Sequence, residues 1–172
     1  MCGIVGYIGP RLAPRVVLQG LKLLEYRGYD SAGIAALDDG QIVIRRDVGK
    51  LSNLESRLVD SPLLGHVGIG HTRWATHGAP TQRNAHPHLS MNGRVVLVHN
   101  GIVENFKELR EDLAAEGVVF QSDTDTEVIV QLAERYMAAG MSLEEAARRS
   151  LSHLSGANAV VMMSVDAPDR LV

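Results

Sequence analysis

A single cysteine in 172 residues excludes an internal disulfide and a four-cysteine metal site. Aromatic residues make up only 4% of the chain, so its core has to be built from Val, Ile, Leu and Ala. There is no basic excess. The formal net charge of -3 gives no general attraction to nucleic acid or acidic membranes, and neither is expected as a partner. No apolar run approaches the roughly 18 residues needed to span a bilayer, and Met1-Cys2-Gly3 lacks the basic lead-in of a signal peptide. A cytoplasmic location is expected. Gly65, Gly68 and Gly70 match neither the phosphate-loop nor the dinucleotide spacing, and no linker, low-complexity tract or internal repeat appears.

What is present is ordinary for a globular chain, 45% apolar and 22% charged, and its length suits one domain over residues 1–172. Cys2 to Ile8 reads as a buried strand ended by Gly9-Pro10, and Val16 to Glu25 as a helix ending before Arg27-Gly28. Asp38-Asp39-Gly40 between two apolar segments marks a hairpin, and Leu51, Leu54 and Leu58 share one helical face. A strand at His66 to Thr72, a polar loop to about Ser90, a turn at Asn92-Gly93 and a strand at Arg94 to His99 follow. The second half predicts a helix over Asn105 to Glu116 closed by Gly117, and a short strand at Val118 to Gln121. Capping boxes at Thr124-x-x-Glu127 and Ser142-x-x-Glu145 open two more helices, before a strand at Ala159 to Val165. Arg170-Leu171-Val172 resembles a strand that stops at once, so the domain is expected to be truncated at its C-terminus. Hairpins mixed with helices favour an α+β layered fold over a doubly wound parallel sheet.

Position gives Cys2 its interest. Removal of Met1 would leave a thiol and a free α-amine on one residue, and the amine, with an ordinary pKa of about 7.7 to 8.0, can accept the thiol proton. The competing reading makes Cys2 the first small hydrophobe of a buried strand. Gly3 and Gly6 leave room beside it for a substrate or for close backbone approach. In the loop His71-Thr72-Arg73-Trp74-Ala75-Thr76-His77-Gly78, Arg73 is able to clamp a carboxylate and Trp74 to cover a ligand, unless Arg73 is solvated and Trp74 packs on the core. Asn100-Gly101 offers an amide and an unencumbered backbone N–H suited to an oxyanion hole, although Asn-Gly in isolation reads first as a tight turn. Asp123 and Asp125 serve as helix caps or as a seat for a ligand ammonium group. A nucleophile, a carboxylate clamp, an oxyanion hole and an ammonium site together describe hydrolysis of an amino-acid amide.

Six histidines, at 66, 71, 77, 86, 88 and 99, crowd one third of the chain, with a His86-x-His88 spacing resembling metal ligands. No H-E-x-x-H helix accompanies them, and no Asp or Glu lies between His66 and His99. The histidines are expected to shape the loop and make hydrogen bonds, with no metal.

Met1-Cys2-Gly3-Ile4-Val5-Gly6, Leu24 to Gly33, the His71 to Gly78 loop, Asn84-Ala85-His86-Pro87-His88, His99-Asn100-Gly101 and Ser122 to Glu127 resemble, in order, the glutaminase domain of the glucosamine-6-phosphate synthases, a class II glutamine amidotransferase family. The resemblance implies an N-terminal-nucleophile hydrolase fold, a four-layer αββα sandwich with two antiparallel sheets. It implies that Cys2 attacks the glutamine side-chain amide, forming a γ-glutamyl thioester and releasing ammonia. Asn100 and the Gly101 backbone would then stabilise the oxyanion. Arg73, helped by Thr76 and His77, would bind the α-carboxylate, and Asp125 the α-ammonium. Trp74 resembles the family's gate on the ammonia path. Arg27 and Gly28 fall in a motif beside the nucleophile, and His86 in the pocket wall. No cofactor is implied. The family continues into a sugar-isomerase domain, absent here, that binds fructose 6-phosphate, and its full-length members are expected to be homodimers. A noncatalytic amino-acid-binding module that kept the pocket is the alternative.

Overall fold

The computed structural model describes residues 2–172. Two antiparallel sheets face each other. The first, in the order β1-β4-β2-β3, comprises β1 (Gly3–Ile8), β2 (Ser31–Asp38), β3 (Gln41–Val48) and β4 (Val67–Arg73). The second, in the order β5-β6-β7, comprises β5 (His88–Leu89), β6 (Val95–Gly101) and β7 (Asn158–Ser164).

Three apolar clusters show how the layers stack. Ala35, Val67 and Ile69 of the first sheet meet Val96, Val98 and Met163 of the second. On the outer face of the first sheet, Val17 and Leu21 of α1 (Ala13–Leu23) and Leu51 and Leu54 of α2 (Leu51–Asp60) pack on Ala32, Ile34 and Ala36. On the outer face of the second, Val95, Leu97 and Met162 are covered by α3 (Phe106–Ala115), α4 (Glu127–Ala138) and α5 (Leu143–Leu151). The alternation along β6 explains this directly. Successive side chains of Val95-Val96-Leu97-Val98 point to opposite faces, and both faces are covered. The result is the four-layer αββα order.

Local expectations held where the signal was a turn or a cap. Asp39 and Gly40, with φ of 46° and 73°, make the two-residue turn between β2 and β3. Ser142 and Glu145 form the reciprocal capping box that opens α5. Two expectations fail. Val118 to Gln121 joins no sheet, and Thr124 does not cap α4. Instead the helix starts at Glu127, whose carboxylate accepts hydrogen bonds from Gln121 N and Ser122 N, both at 2.7 Å, and from Ser122 Oγ at 2.6 Å. The backbone donors of Gln121 and Ser122 thus go to one carboxylate and not to a neighbouring strand. At the other end, Val172 exchanges both backbone hydrogen bonds with Met162, so the last residue adds one rung beside β7.

Candidate active site

The C-terminal ends of β4 and β6 approach each other where the sheets part, and a cavity of about 730 Å³ opens there. That volume suits a small-molecule site. Its wall includes Cys2, Arg27, Arg73, Trp74, Thr76, His86, Asn100, Gly101 and Asp125. Nine of the eleven residues that the family resemblance places in the site therefore meet at one place, although they span more than 120 positions.

Cys2 lies just before β1, whose Gly3 pairs with Thr72 on β4, so the register sets the thiol beside the start of the Trp74 loop. Trp74 N donates to Cys2 Sγ at 3.1 Å, and the thiol faces Trp74 O at 3.7 Å. The half-buried thiol on the cavity wall disposes of the reading in which it is simple core packing. Gly3 serves close approach rather than ligand space, since a Cβ there would lie 2.8 Å from both Leu24 Cδ1 and Thr72 Oγ1. Removal of Met1 lies outside the described residues.

The loop after β4 is tied down by groups that its sequence does not advertise. Asp30 accepts a short hydrogen bond from Ala75 N, and Ser31 Oγ donates to its other oxygen at 3.0 Å. Arg73 is buried, and its Nη2 donates to the carbonyls of His77 and Gly78, curling residues 73–78 around the guanidinium. Its Nε makes no hydrogen bond among the described residues. His77 and Gly28 are the two that do not line the cavity. The His77 ring packs edge-on against Phe106, with centroids 5.2 Å apart. Gly28, at φ 74°, lies under the indole, where a Cβ would come 2.9 Å from Trp74 Cζ3.

Asn100 and Gly101 end β6 as paired strand residues opposite Ala159 and Asn158, so the tight-turn reading is wrong. Gly101 holds φ 144°, and a Cβ there would strike the Ala157 carbonyl. Asp125 is 4% exposed, and its Oδ2 accepts from Val103 N at 2.8 Å. The other carboxylate oxygen has no hydrogen-bond partner among the described residues. Asp123 faces away and pairs with Arg83 and Asn84, which hold its carboxyl below the usual range.

Behind this wall lies a feature the sequence only hinted at by crowding histidines. Asn158 Nδ2 donates to Gly156 O, so its Oδ1 faces His99 Nε2 at 2.8 Å and that nitrogen carries the proton. His99 Nδ1 is then an acceptor, and Thr126 Oγ1, 2.9 Å away, donates to it. The same hydroxyl, 3.1 Å from His86 Nε2, has its lone pair left to accept from that ring. His71 stacks on His86 at 4.1 Å, and His88 meets His86 edge-on at 4.7 Å. Burial keeps all of these rings neutral: it drives His86 and His88 well below the ordinary histidine value, lowers His99, and holds His71 at about 4. His86 and His88 do not converge as a chelate, since their Nε2 atoms face Thr126 and Thr124 respectively. Among the described residues no group of three or more His, Cys, Asp and Glu is arranged to hold a metal ion. Nor, among them, is any helix long and apolar enough to cross a membrane.

A cysteine at the start of a four-layer sandwich, facing an amide, a buried carboxylate and an arginine, defines a class. The glutamine amidotransferase domain family matches residues 53–152, more than half of the chain, and the chain belongs to that family. More particularly, it is 54% identical to the glutamine–fructose-6-phosphate aminotransferase (isomerizing) of Pyrococcus horikoshii over 99% of this chain and 29% of that one. It is also 54% identical to the Streptomyces coelicolor protein of the same name, over 100% of this chain and 28% of that one. The chain thus spans less than a third of the length of these curated relatives. The solved glutamine phosphoribosylpyrophosphate amidotransferase of B. subtilis is 31% identical, with a TM-score of 0.81 over 96% of this chain and 35% of that one. The fold is that of the N-terminal-nucleophile amidotransferases.

Proposed function

We propose that residues 1–172 form a glutaminase domain that hydrolyses L-glutamine through Cys2, without a metal or cofactor. The observation that carries this reading is the meeting of Cys2, Asn100, Gly101, Arg73 and Asp125 on the wall of one cavity. Cys2 Sγ attacks the glutamine side-chain carbonyl carbon, and the thiol proton passes through the α-amine of Cys2 to the departing nitrogen. Charge on the carbonyl oxygen is met by Asn100 Nδ2 and the Gly101 N–H. The C–N bond breaks, ammonia leaves, and water then attacks the γ-glutamyl thioester, giving glutamate and the free thiol. Asp125 seats the α-ammonium with its unbonded oxygen, and Arg73 the α-carboxylate with the donors its own loop leaves over. Thr76 and His86 complete the wall. His77 supports the clamp through its carbonyl, and Gly28 gives Trp74 its seat beside Arg27.

The names of the relatives support a larger setting, a longer protein in which the ammonia is passed to fructose 6-phosphate; we propose further that this protein is a cytoplasmic homodimer whose sugar-isomerase domain binds that acceptor. Intact mass followed by a glutamate-release assay on the same sample tests the chemistry. A chain lacking Met1 that releases glutamate, with the activity abolished by Cys2→Ala, is the expected result. A folded, Met1-free chain that binds glutamine and leaves it intact would instead be an amino-acid-binding module.

A further inference from the structure

His71 lies in the middle of the first sheet, opposite Ile4 of β1 and Gly33 of β2, yet its side chain crosses to the second. There Nε2 meets two oxygens, the backbone carbonyl of His99 at 3.0 Å and Asn100 Oδ1 at 2.8 Å. A backbone carbonyl only accepts, so Nε2 carries the ring proton. That proton in turn decides which end of the Asn100 amide faces it. The two ends are nearly equal in size, and sterics alone do not distinguish them. Turned over, the amide would set N–H against N–H at His71 and aim an oxygen lone pair into the cavity.

We propose that His71 is a positioning residue for glutamine hydrolysis, holding Asn100 so that its amide nitrogen, not its oxygen, faces the carbonyl oxygen on which charge develops. The inference rests on the glutaminase reading above and adds to it the group that makes the oxyanion donor a donor. A second observation fits the same assignment. His71 Nδ1 is buried without a hydrogen-bond partner, which suits the bare nitrogen of a neutral ring whose one proton is on Nε2. Burial at 0% exposure keeps the ring neutral, and its stacking on His86 fixes its plane. The register of the first sheet and the hydrogen bonds of the second thus converge on one torsion of one amide.

The test pairs an activity measurement with one that needs no activity. His71→Leu, similar in bulk but without a donor, is expected to lower kcat roughly 10- to 100-fold while KM stays within about threefold, and His71→Gln, whose Nε2 reaches the same region, to recover part of the loss. In an Asn100→Ala background, His71→Leu is expected to change the residual rate less than about twofold, because the residue acts through that amide. An equal loss in both backgrounds overturns the proposal in favour of a merely structural role. Independently, nitrogen-15 NMR of the unsubstituted chain at neutral pH is expected to show His71 protonated at Nε2 and bare at Nδ1. The opposite tautomer overturns the proposal even if His71→Leu fails to fold. If the chain releases no glutamate at all, the glutaminase reading falls, and the tautomer still decides whether His71 orients Asn100.

Discussion

The inner wall of the cavity, made by buried His86, His99 and Asp125 and half-buried Asn100, is anchored by hydrogen bonds to Thr126, Asn158, His71 and Val103, whereas the outer wall, made by Cys2, Arg27, Trp74 and Thr76, is more open to solvent, with Trp74 55% exposed. The inner wall carries the groups proposed to meet charge: an amide and a carboxylate, each with one end committed to the protein. Fixing them before a ligand arrives removes the cost of orienting them during the reaction. The outer wall carries the proposed nucleophile and the side chains proposed to cover the ligand, tied mainly to the backbone of the loop after β4. One wall is built to be ready, and the other to admit a ligand.

Substitutions can break this contrast. Replacing Cys2 by Ala is expected to reduce glutamate release to background while circular dichroism and the melting temperature stay close to those of the parent, because the partly open thiol contributes little packing. Asn100→Ala comes next. It should cost about 10²- to 10³-fold in kcat with a small change in KM, as for loss of one preorganised donor, measured by steady-state kinetics. Asp125→Asn acts on binding instead. Removing a charge-assisted contact is expected to raise KM by roughly 10- to 100-fold, and an equal fall in kcat with unchanged KM would remove Asp125 from the ammonium site.

Smaller effects sharpen the contrast in stability. Thr126→Val strands His99 Nδ1 and His86 Nε2 together, so urea denaturation should show a loss of about 1–3 kcal/mol, whereas Trp74→Ala on the open wall should stay within roughly 0.5 kcal/mol. Acidification probes the buried histidines in and behind the inner wall. His71, His86 and His88 have folded pKa values pushed below the ordinary 6.5 by burial, His71 to about 4. Below pH 6.5 the unfolded chain therefore binds protons that the folded chain refuses. Their contribution is fully present above 6.5 and is lost as pH falls toward 4, with a slope of up to about 1.4 kcal/mol per pH unit for each histidine. Denaturation midpoints measured between pH 7.5 and 5 check this, and a flat profile would contradict the neutral, buried cluster.

Much of the site was legible because its chemistry needs rare residue types in telling positions. A cysteine at position 2, Arg73 after an apolar strand, Asn100-Gly101 at the end of another and Asp125 before a helix all reach the cavity. Elsewhere local signals mislead about the backbone, and some partners give no signal at all. Asn100-Gly101 reads as a turn, but pairing with β7 draws it into a strand. Thr124-x-x-Glu127 reads as a capping box, but Glu127 reaches back to Gln121 and Ser122 while Thr124 faces His88. Asp30 gave no sign that it would pin a loop 45 residues away. His71 looked like one more histidine in a crowd, and neither it nor Thr126 was singled out, since nothing short-range distinguishes a positioning histidine from a packed one.

The sequence by itself determined most of the elements, the apolar run that lets a strand be covered on both faces, and the candidate nucleophile, because these follow from periodicity, turn chemistry and position along the chain. Only the tertiary structure decided which nitrogen of each histidine carries the proton, which way the Asn100 amide turns and how Arg73 divides its donors. Those choices depend on partners contributed by distant strands, and a hydrogen bond has a direction only when both of its ends are in place.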